Sequence, residues 1–405
     1  MNKPALLDRH RQRLFDAPAT AADPIGIYIH IPFCSHICPY CDFNTYAGKE
    51  SLIPSYLDAL QCETAFWARD FGGRRAQSIF IGGGTPSLLN PKQIRGLLDT
   101  CRAEFSMEKG AEVTIESNPN DVSLRYCVGL LEAGVNRISI GAQTLDRPGL
   151  RVLGRLHESD TVSSAVSAAR DAGFANVSLD LIYGWPGQSI ATWHNDLGQI
   201  MGGAIGGSIP DHLSLYGLII EPGTPMADAV TRGILSPVDE DTSADFAELA
   251  ASLLAAAGWI HYEIANWCAA PRNASVHNAL YWRNGDYAGI GAGAHGHAGQ
   301  LRTMNQPSPA RYTKVVSSGE SPRTNFEIID ANTDKVETML LGLRLIQDGV
   351  SLDRFQSRHG ISLEAHFGTQ IAHLRDQGLL ECDEHSVRLT VRGAMVANTV
   401  CAEFL

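Results

Sequence analysis

The segment His30-Ile31-Pro32-Phe33-Cys34-Ser35-His36-Ile37-Cys38-Pro39-Tyr40-Cys41-Asp42-Phe43 decides the reading of this chain. It spaces three thiols as Cys-x3-Cys-x2-Cys, directly after a β-branched run, IGIYIHI (25–31), that reads as a first strand. Three thiolates on one tight loop suit a soft metal or an iron–sulfur cluster. A structural zinc site usually closes with four ligands. No fourth cysteine follows at Cys-x2-Cys spacing, so His30 or His36 would have to complete such a site. A cubane held by three cysteines instead keeps one iron open, where a ligand can bind and receive an electron. The other six of the nine cysteines are scattered and read as small buried hydrophobes. An odd count in a long chain is not a disulfide framework.

Outward from that loop, the first half alternates strand and helix signals. After IGIYIHI come QSIFIGG (77–83), EVTIESN (112–118), RISIGAQ (137–143), NVSLDLIYG (176–184) and HLSLYGLII (212–220). Helical spacing fills the intervals, from Tyr56 to Phe71, after Asn90-Pro91, from near Asp121 to Gly134 and from near Asp160 to Gly173. Six β-α units predict an α/β fold, with a parallel sheet and helices outside. No G-x-G-x-x-G follows the first strand, which disfavours a dinucleotide-binding sheet. The expected organisation is an arm (1–24), a (β/α)6 partial barrel (25–220), a post-barrel segment (221–331) and a C-terminal module (332–405). That module reads helix, helix, helix, hairpin, a winged-helix-like order, but it lacks the basic stripe of a DNA reader.

Composition bounds the rest. The chain has 405 residues, 44% of them hydrophobic and 19% charged, which is a globular balance. The net charge of −12 leaves no basic surplus for phosphates, so no nucleic acid is expected. It also disfavours a polybasic membrane anchor, leaving at most peripheral membrane association. No stretch of about 20 apolar residues appears. Met1 to Asp23 lacks the apolar core of a signal peptide, so a cytoplasmic protein is expected.

Further motifs fall at the ends of successive strands, where α/β barrels build their sites. They are Gly82-Gly83-Gly84-Thr85-Pro86, Glu116-Ser117-Asn118, Gly141-Ala142-Gln143 with Gly154-Arg155-Leu156-His157, and Asp180 within LDLIYG. A charged residue inside so apolar a run as the last is costly unless paired. With the cysteine loop, they make the chain resemble the radical S-adenosylmethionine (SAM) superfamily. The resemblance implies a [4Fe–4S] cluster on Cys34, Cys38 and Cys41, with SAM chelated to the open iron. It implies that Gly83, Gly84 and Thr85 contact the methionine end of SAM, that Glu116 accepts the ribose hydroxyls, and that Arg155 neutralises the SAM carboxylate. Tyr28, Tyr40, Phe43, Gln143 and Asp180 are expected to line the same cofactor site.

Within the superfamily the chain resembles the HemN/HemW group of coproporphyrinogen III oxidase-like proteins. The matching pieces are HIPFC-x3-C-x-YCDF, FIGGGTPS, IESNP, LGRLH, DLIYGWPGQ, EPGTP and HYEIANW. The HemW branch of heme chaperones is the nearer match. The oxidases carry a fourth cysteine where Phe43 stands, and a longer N-terminal arm. The segment His277-Asn278-Ala279-Leu280-Tyr281-Trp282 matches the HNxxYW motif associated with heme in that branch. Histidine is a common heme ligand, and Tyr281 and Trp282 offer flat apolar surface. His277 is therefore the expected heme ligand, with His295 and His297 next. The implied function is a carrier that passes heme to an acceptor protein, respiratory cytochromes among the candidates, with a low-potential electron donor. The alternative is a radical enzyme acting on a tetrapyrrole, through oxidative decarboxylation of coproporphyrinogen III, methylation or ring opening.

Overall fold

The computed structural model describes residues 23–405. The arm expected at 1–24 lies almost wholly outside them. Six parallel strands follow the expected beat: β1 (Ile25–Ile31), β2 (Arg75–Gly83), β3 (Ser106–Ser117), β4 (Arg137–Gln143), β5 (Val177–Tyr183) and β6 (His212–Gly217). Helices α1 (Ile53–Phe71), α2 (Pro91–Glu104), α3 (Leu124–Ala133), α4 (Ser159–Ala172) and α5 (Ile190–Met201) alternate with them. The starts follow from local chemistry. Asn90 closes a capping box with Gln93 around Pro91, and Ser123 caps α3. The αL glycines Gly134 and Gly173 end α3 and α4.

The period-2 alternation of each strand sorts its side chains. In β1, Ile25, Ile27, Ile29 and Ile31 join the large core with Leu60, Trp67, Ile94 and Leu98 of the flanking helices. The alternate positions, Tyr28 and His30, take the other face. There Phe80 stacks on Tyr28 at a 6.3 Å centroid distance. Glu116 is close enough to act electrostatically on the Tyr28 phenol.

The post-barrel segment is not a separate layer. It extends the same sheet at both ends. At one end β7 (Ile260–Glu263) and β8 (Asn266–Cys268) add antiparallel to β6. At the other, after helix α6 (Val276–Trp282), β9 (Tyr287–Ile290) pairs parallel to β1. Strands β10 (His295–Ala298), β11 (Leu301–Asn305) and β12 (Arg323–Ile328) continue antiparallel. The order is β12-β11-β10-β9-β1-β2-β3-β4-β5-β6-β8-β7, so the sheet stays open. The boundary expected at 220/221 thus cuts through one sheet, and β1 is an interior strand.

The C-terminal part has its own core of Met339, Phe355, Phe367, Leu374, Val387 and Val400. It comprises α7 (Ala331–Gly342), α8 (Leu352–His359), α9 (Leu363–Asp376), a small sheet of β13 (Val350–Ser351), β14 (Leu380–Cys382) and β15 (Ser386–Leu389), and two short last helices, Val391–Met395 and Ala397–Ala402. Arg302 of β11 bridges to Glu337 of α7 at 2.8 Å, and the Arg358 guanidinium donates to the Asn284 carbonyl at 2.7 Å. Among the described residues, no helix is long and apolar enough to cross a membrane.

Candidate functional site

The cysteine loop is clamped on two sides by backbone. The Gly84 N–H donates to the Ile31 carbonyl and the Thr85 N–H to the Phe33 carbonyl, each at 2.8 Å. A Cβ on Gly84 would sit 2.7 Å from the Phe33 oxygen and 3.0 Å from the Cys34 sulfur. Gly83 has φ +115°, and a Cβ there would meet the His30 ring at 2.5 Å. These glycines are therefore required by close approach and by conformation. On the other side His36 Nε2 donates to the Gly154 carbonyl at 2.8 Å, and the Met226 N–H donates to the Pro39 carbonyl at 2.9 Å.

Cys34 and Cys38 are buried and Cys41 is half-buried, all as free thiols. Cys34 feels the charge of both other thiols. Polar groups already reach the sulfurs: Thr85 Oγ1 at 3.4 Å from Cys34, Arg155 Nη1 at 3.5 Å from Cys38, and His36 Nε2 at 3.8 Å from Cys38. Burial pushes the Cys34 and Cys41 thiols up, above their ordinary range. Among the described residues, no three His, Cys, Asp or Glu side chains close on a lone metal ion. A cubane presents separate irons to separate thiolates and needs no such convergence. Three thiols under sulfur-directed donors, with a side-chain-free floor at Gly84, fit such a cluster.

The carboxylates gather beside this loop. Glu116 accepts the Gly83 N–H at 3.0 Å, and Asp180 accepts from Ser139 Oγ at 2.9 Å. Burial, then the neighbouring Asp180 charge, pushes Glu116 up to about 7, against the opposing pull of the Gly83 N–H and Arg137. Burial also raises Asp180. Arg155 gives its second amino group to the Gly141 carbonyl at 3.1 Å, while its buried Nε has no partner. The buried Ser117 hydroxyl likewise has none. Gln143 takes φ +64°, unusual for a residue with a Cβ, at a bulge in β4. Unpaired polar atoms and local strain beside a ring of donors and acceptors are the marks of a small-molecule site. They suit a ligand with a carboxylate, an amine and ribose hydroxyls.

Thr85 and Arg155 thus touch the cysteine sulfurs, Gly83 and Gly84 line the loop, Glu116 reaches Gly83, Tyr28 and Asp180 neighbour Glu116, and Gln143 and Arg155 both flank Gly141. Tyr40 packs in a patch with Leu153, Ile182, Trp185 and Met226. Phe43 is 67% exposed, and its backbone hydrogen-bonds the Cys41 thiol. Sequence reading passed over Asn44. Its side-chain amide donates to the carbonyls of Ala292 and Pro307, and its backbone carbonyl accepts from His30 Nε2 at 3.0 Å. Arg137 and Ser139, also passed over, were legible as polar positions alternating with Ile138 and Ile140.

His277, the expected heme ligand, lies on α6. It is fully buried, with Nδ1 2.8 Å from Ser78 Oγ and Nε2 2.7 Å from the Tyr281 hydroxyl. Its ring stacks on Phe80 at 5.3 Å. Burial lowers its pKa to about 3. Glu112 accepts the Val276 and His277 N–H groups, at 3.0 and 3.1 Å, and so fixes the start of α6. Both ring nitrogens are engaged by hydroxyls, so an iron at His277 would have to displace Ser78 or Tyr281 from the ring.

With the geometry described, relatives can be compared. Residues 28–200 match the radical SAM superfamily model and 329–396 the HemN C-terminal domain model. The heme chaperone HemW of Bacillus subtilis is 36% identical over 93% of this chain and 98% of its own. That of Mycobacterium tuberculosis is 35% identical over 98% and 99%. The structure of Escherichia coli coproporphyrinogen III oxidase (HemN), a radical SAM enzyme, superposes with a TM-score of 0.81. At 21% identity it covers 100% of this chain and 93% of that one, and it shows the fold. The chain belongs to the HemW family of the radical SAM superfamily.

Proposed function

We propose that this chain is a heme chaperone, binding heme and passing it to an acceptor protein, with a SAM-bound [4Fe–4S] cluster on Cys34, Cys38 and Cys41. The observation that carries the reading is similarity over nearly the whole length to proteins named heme chaperone HemW. Phe43 in place of the oxidase cysteine supports it. Such a cluster supplies an electron to SAM when bound. The chain's own residues do the rest. Thr85 and Arg155 direct donors at the thiolates, which favours their charged form. Glu116 and Asp180 offer acceptors to ribose hydroxyls. Arg155 balances a carboxylate. The partners of this reading are a heme-accepting protein and a low-potential electron donor, in the cytoplasm, with no nucleic acid.

Anaerobic reconstitution with iron, sulfide and SAM, followed by heme titration and transfer to an apo-cytochrome, tests it. A heme spectrum and transfer are expected. Incubation with coproporphyrinogen III, SAM and a reductant should give no vinyl-bearing product. Many turnovers of decarboxylation would replace the chaperone with the oxidase.

A further inference from the structure

The limb of the cysteine loop that leaves Cys41 is held from a distant part of the chain. Hydrogen bonds from the Phe43 backbone and the Thr45 side chain act on the Cys41 sulfur and favour its thiolate. Asn44 stands between those two donors along the chain. It occupies a tight turn, in which the Thr45 N–H donates to the Phe43 carbonyl at 2.7 Å. Its side-chain amide reaches residues 248 and 263 positions away, donating to the Ala292 carbonyl at 2.9 Å and to the Pro307 carbonyl at 3.0 Å. The Tyr46 hydroxyl donates to Asn44 Oδ1 at 3.2 Å, which turns the amide nitrogen toward the two carbonyls.

The turn between β9 and β10 that receives Asn44 is itself fixed from α1. Glu63, buried in that helix, accepts the Gly291 N–H at 2.8 Å, the Asn305 amide at 2.7 Å and the Tyr312 hydroxyl. The Ala292 N–H donates to the Tyr56 hydroxyl at 2.7 Å, and that hydroxyl donates to the His30 carbonyl at 2.9 Å. Gly293 has φ +74°, and a Cβ there would sit 2.4 Å from Asn44 Nδ2. The turn therefore leaves room for the Asn44 amide and presents a carbonyl whose place is set by α1 and β1.

We propose that Asn44 is a positioning residue of the cluster site: it ties the outgoing limb of the loop to the sheet extension, and so holds the Phe43 and Thr45 donors on the Cys41 sulfur. This rests on the cluster assigned above to Cys34, Cys38 and Cys41, and it names what tunes that cluster. Hydrogen bonds to the sulfurs are among the factors that set the potential of an iron–sulfur cluster, and each one lost makes it harder to reduce. The sheet extension thus acts on the potential through Asn44, without supplying a ligand.

The test uses the reconstituted full chain and two variants that cut the same contact from opposite ends, Asn44→Ala and Gly293→Ala. Asn44→Ala should keep the far-UV spectrum, lower the midpoint potential of the cluster, and release iron to a chelator about 10–100-fold faster, the loss typical of an outer-shell partner. Gly293→Ala leaves the loop sequence intact and should move the potential in the same direction; it carries the test if Asn44→Ala does not fold. The double variant should go no further than Asn44→Ala alone, because both changes remove one contact. A purely structural role would lower the unfolding midpoint and leave the potential unmoved. A wild-type potential in the folded variants overturns the proposal, whatever the iron-release rate, and leaves the cluster assignment standing. So do shifts that add in the double variant. A wild-type chain that takes up no iron and sulfide overturns the cluster assignment and this proposal together.

Discussion

Arg155 and Cys38, 117 positions apart, meet with the guanidinium 3.5 Å from the sulfur. The same side chain ties down the Gly141 carbonyl and leaves a buried Nε without a partner. Arg155→Ala should keep the far-UV spectrum and weaken SAM binding. A lost charge-assisted hydrogen bond of about 1.5–3 kcal/mol corresponds to roughly 10–100-fold. Calorimetry on the reconstituted variant checks this.

Replacing Cys34, Cys38 and Cys41 together by Ala should remove iron, sulfide and the broad visible charge-transfer absorption. Thermal unfolding of the apo chain should change little by comparison, because the loop is clamped by backbone bonds to Ile31 and Phe33. Iron and sulfide retained by the triple variant would refute the cluster assignment.

Cluster loading should deepen as pH rises. Burial lifts the Cys34 and Cys41 thiols, so iron competes with protons for both sulfurs. Proton release on loading, measured in weak buffer, should accompany the effect.

Glu116 gives the apo chain a pH dependence of known sign. Its folded pKa of about 7 lies above the ordinary 4.5, so the folded state binds the extra proton. This contribution to stability is fully present below about 4.5 and is lost as pH rises through about 7. Glu116→Gln should flatten that part of the denaturation profile measured between pH 5 and pH 8.

Gly83→Ala should destabilise by about 1–3 kcal/mol, because its Cβ meets the His30 ring at 2.5 Å and its φ is +115°. Chemical denaturation reads the cost. His277→Ala should likewise lower the unfolding midpoint, by about 2–4 kcal/mol for a stacked, doubly hydrogen-bonded buried ring.

The sequence by itself determined what repeats locally or is held by neighbours along the chain. The six strands follow from period-2 runs such as Ile25, Ile27, Ile29 and Ile31. The helix limits follow from Asn90, Ser123, Gly134 and Gly173. The cluster loop follows from three cysteines within one turn-forming stretch. Resemblance through strand-end motifs supplied Glu116, Arg155 and Asp180, and the structure gathers them because parallel strands all end on one side. Only the tertiary structure decided which strands lie next to β1. Tyr287–Ile290 joins it after more than 250 intervening residues, and such a pairing leaves no local signal. It also decided the fates of the histidines. His277 stands out in the sequence only by resemblance, through the HNxxYW motif, and nothing local shows what either it or His297 packs against. Their difference lies in partners distant along the chain or set by a turn: Ser78 and Tyr281 saturate one ring, while Gly285 orients the other, whose second nitrogen is buried without a partner. Availability of a lone pair depends on what is packed around it, and that is fixed only when the whole sheet has formed.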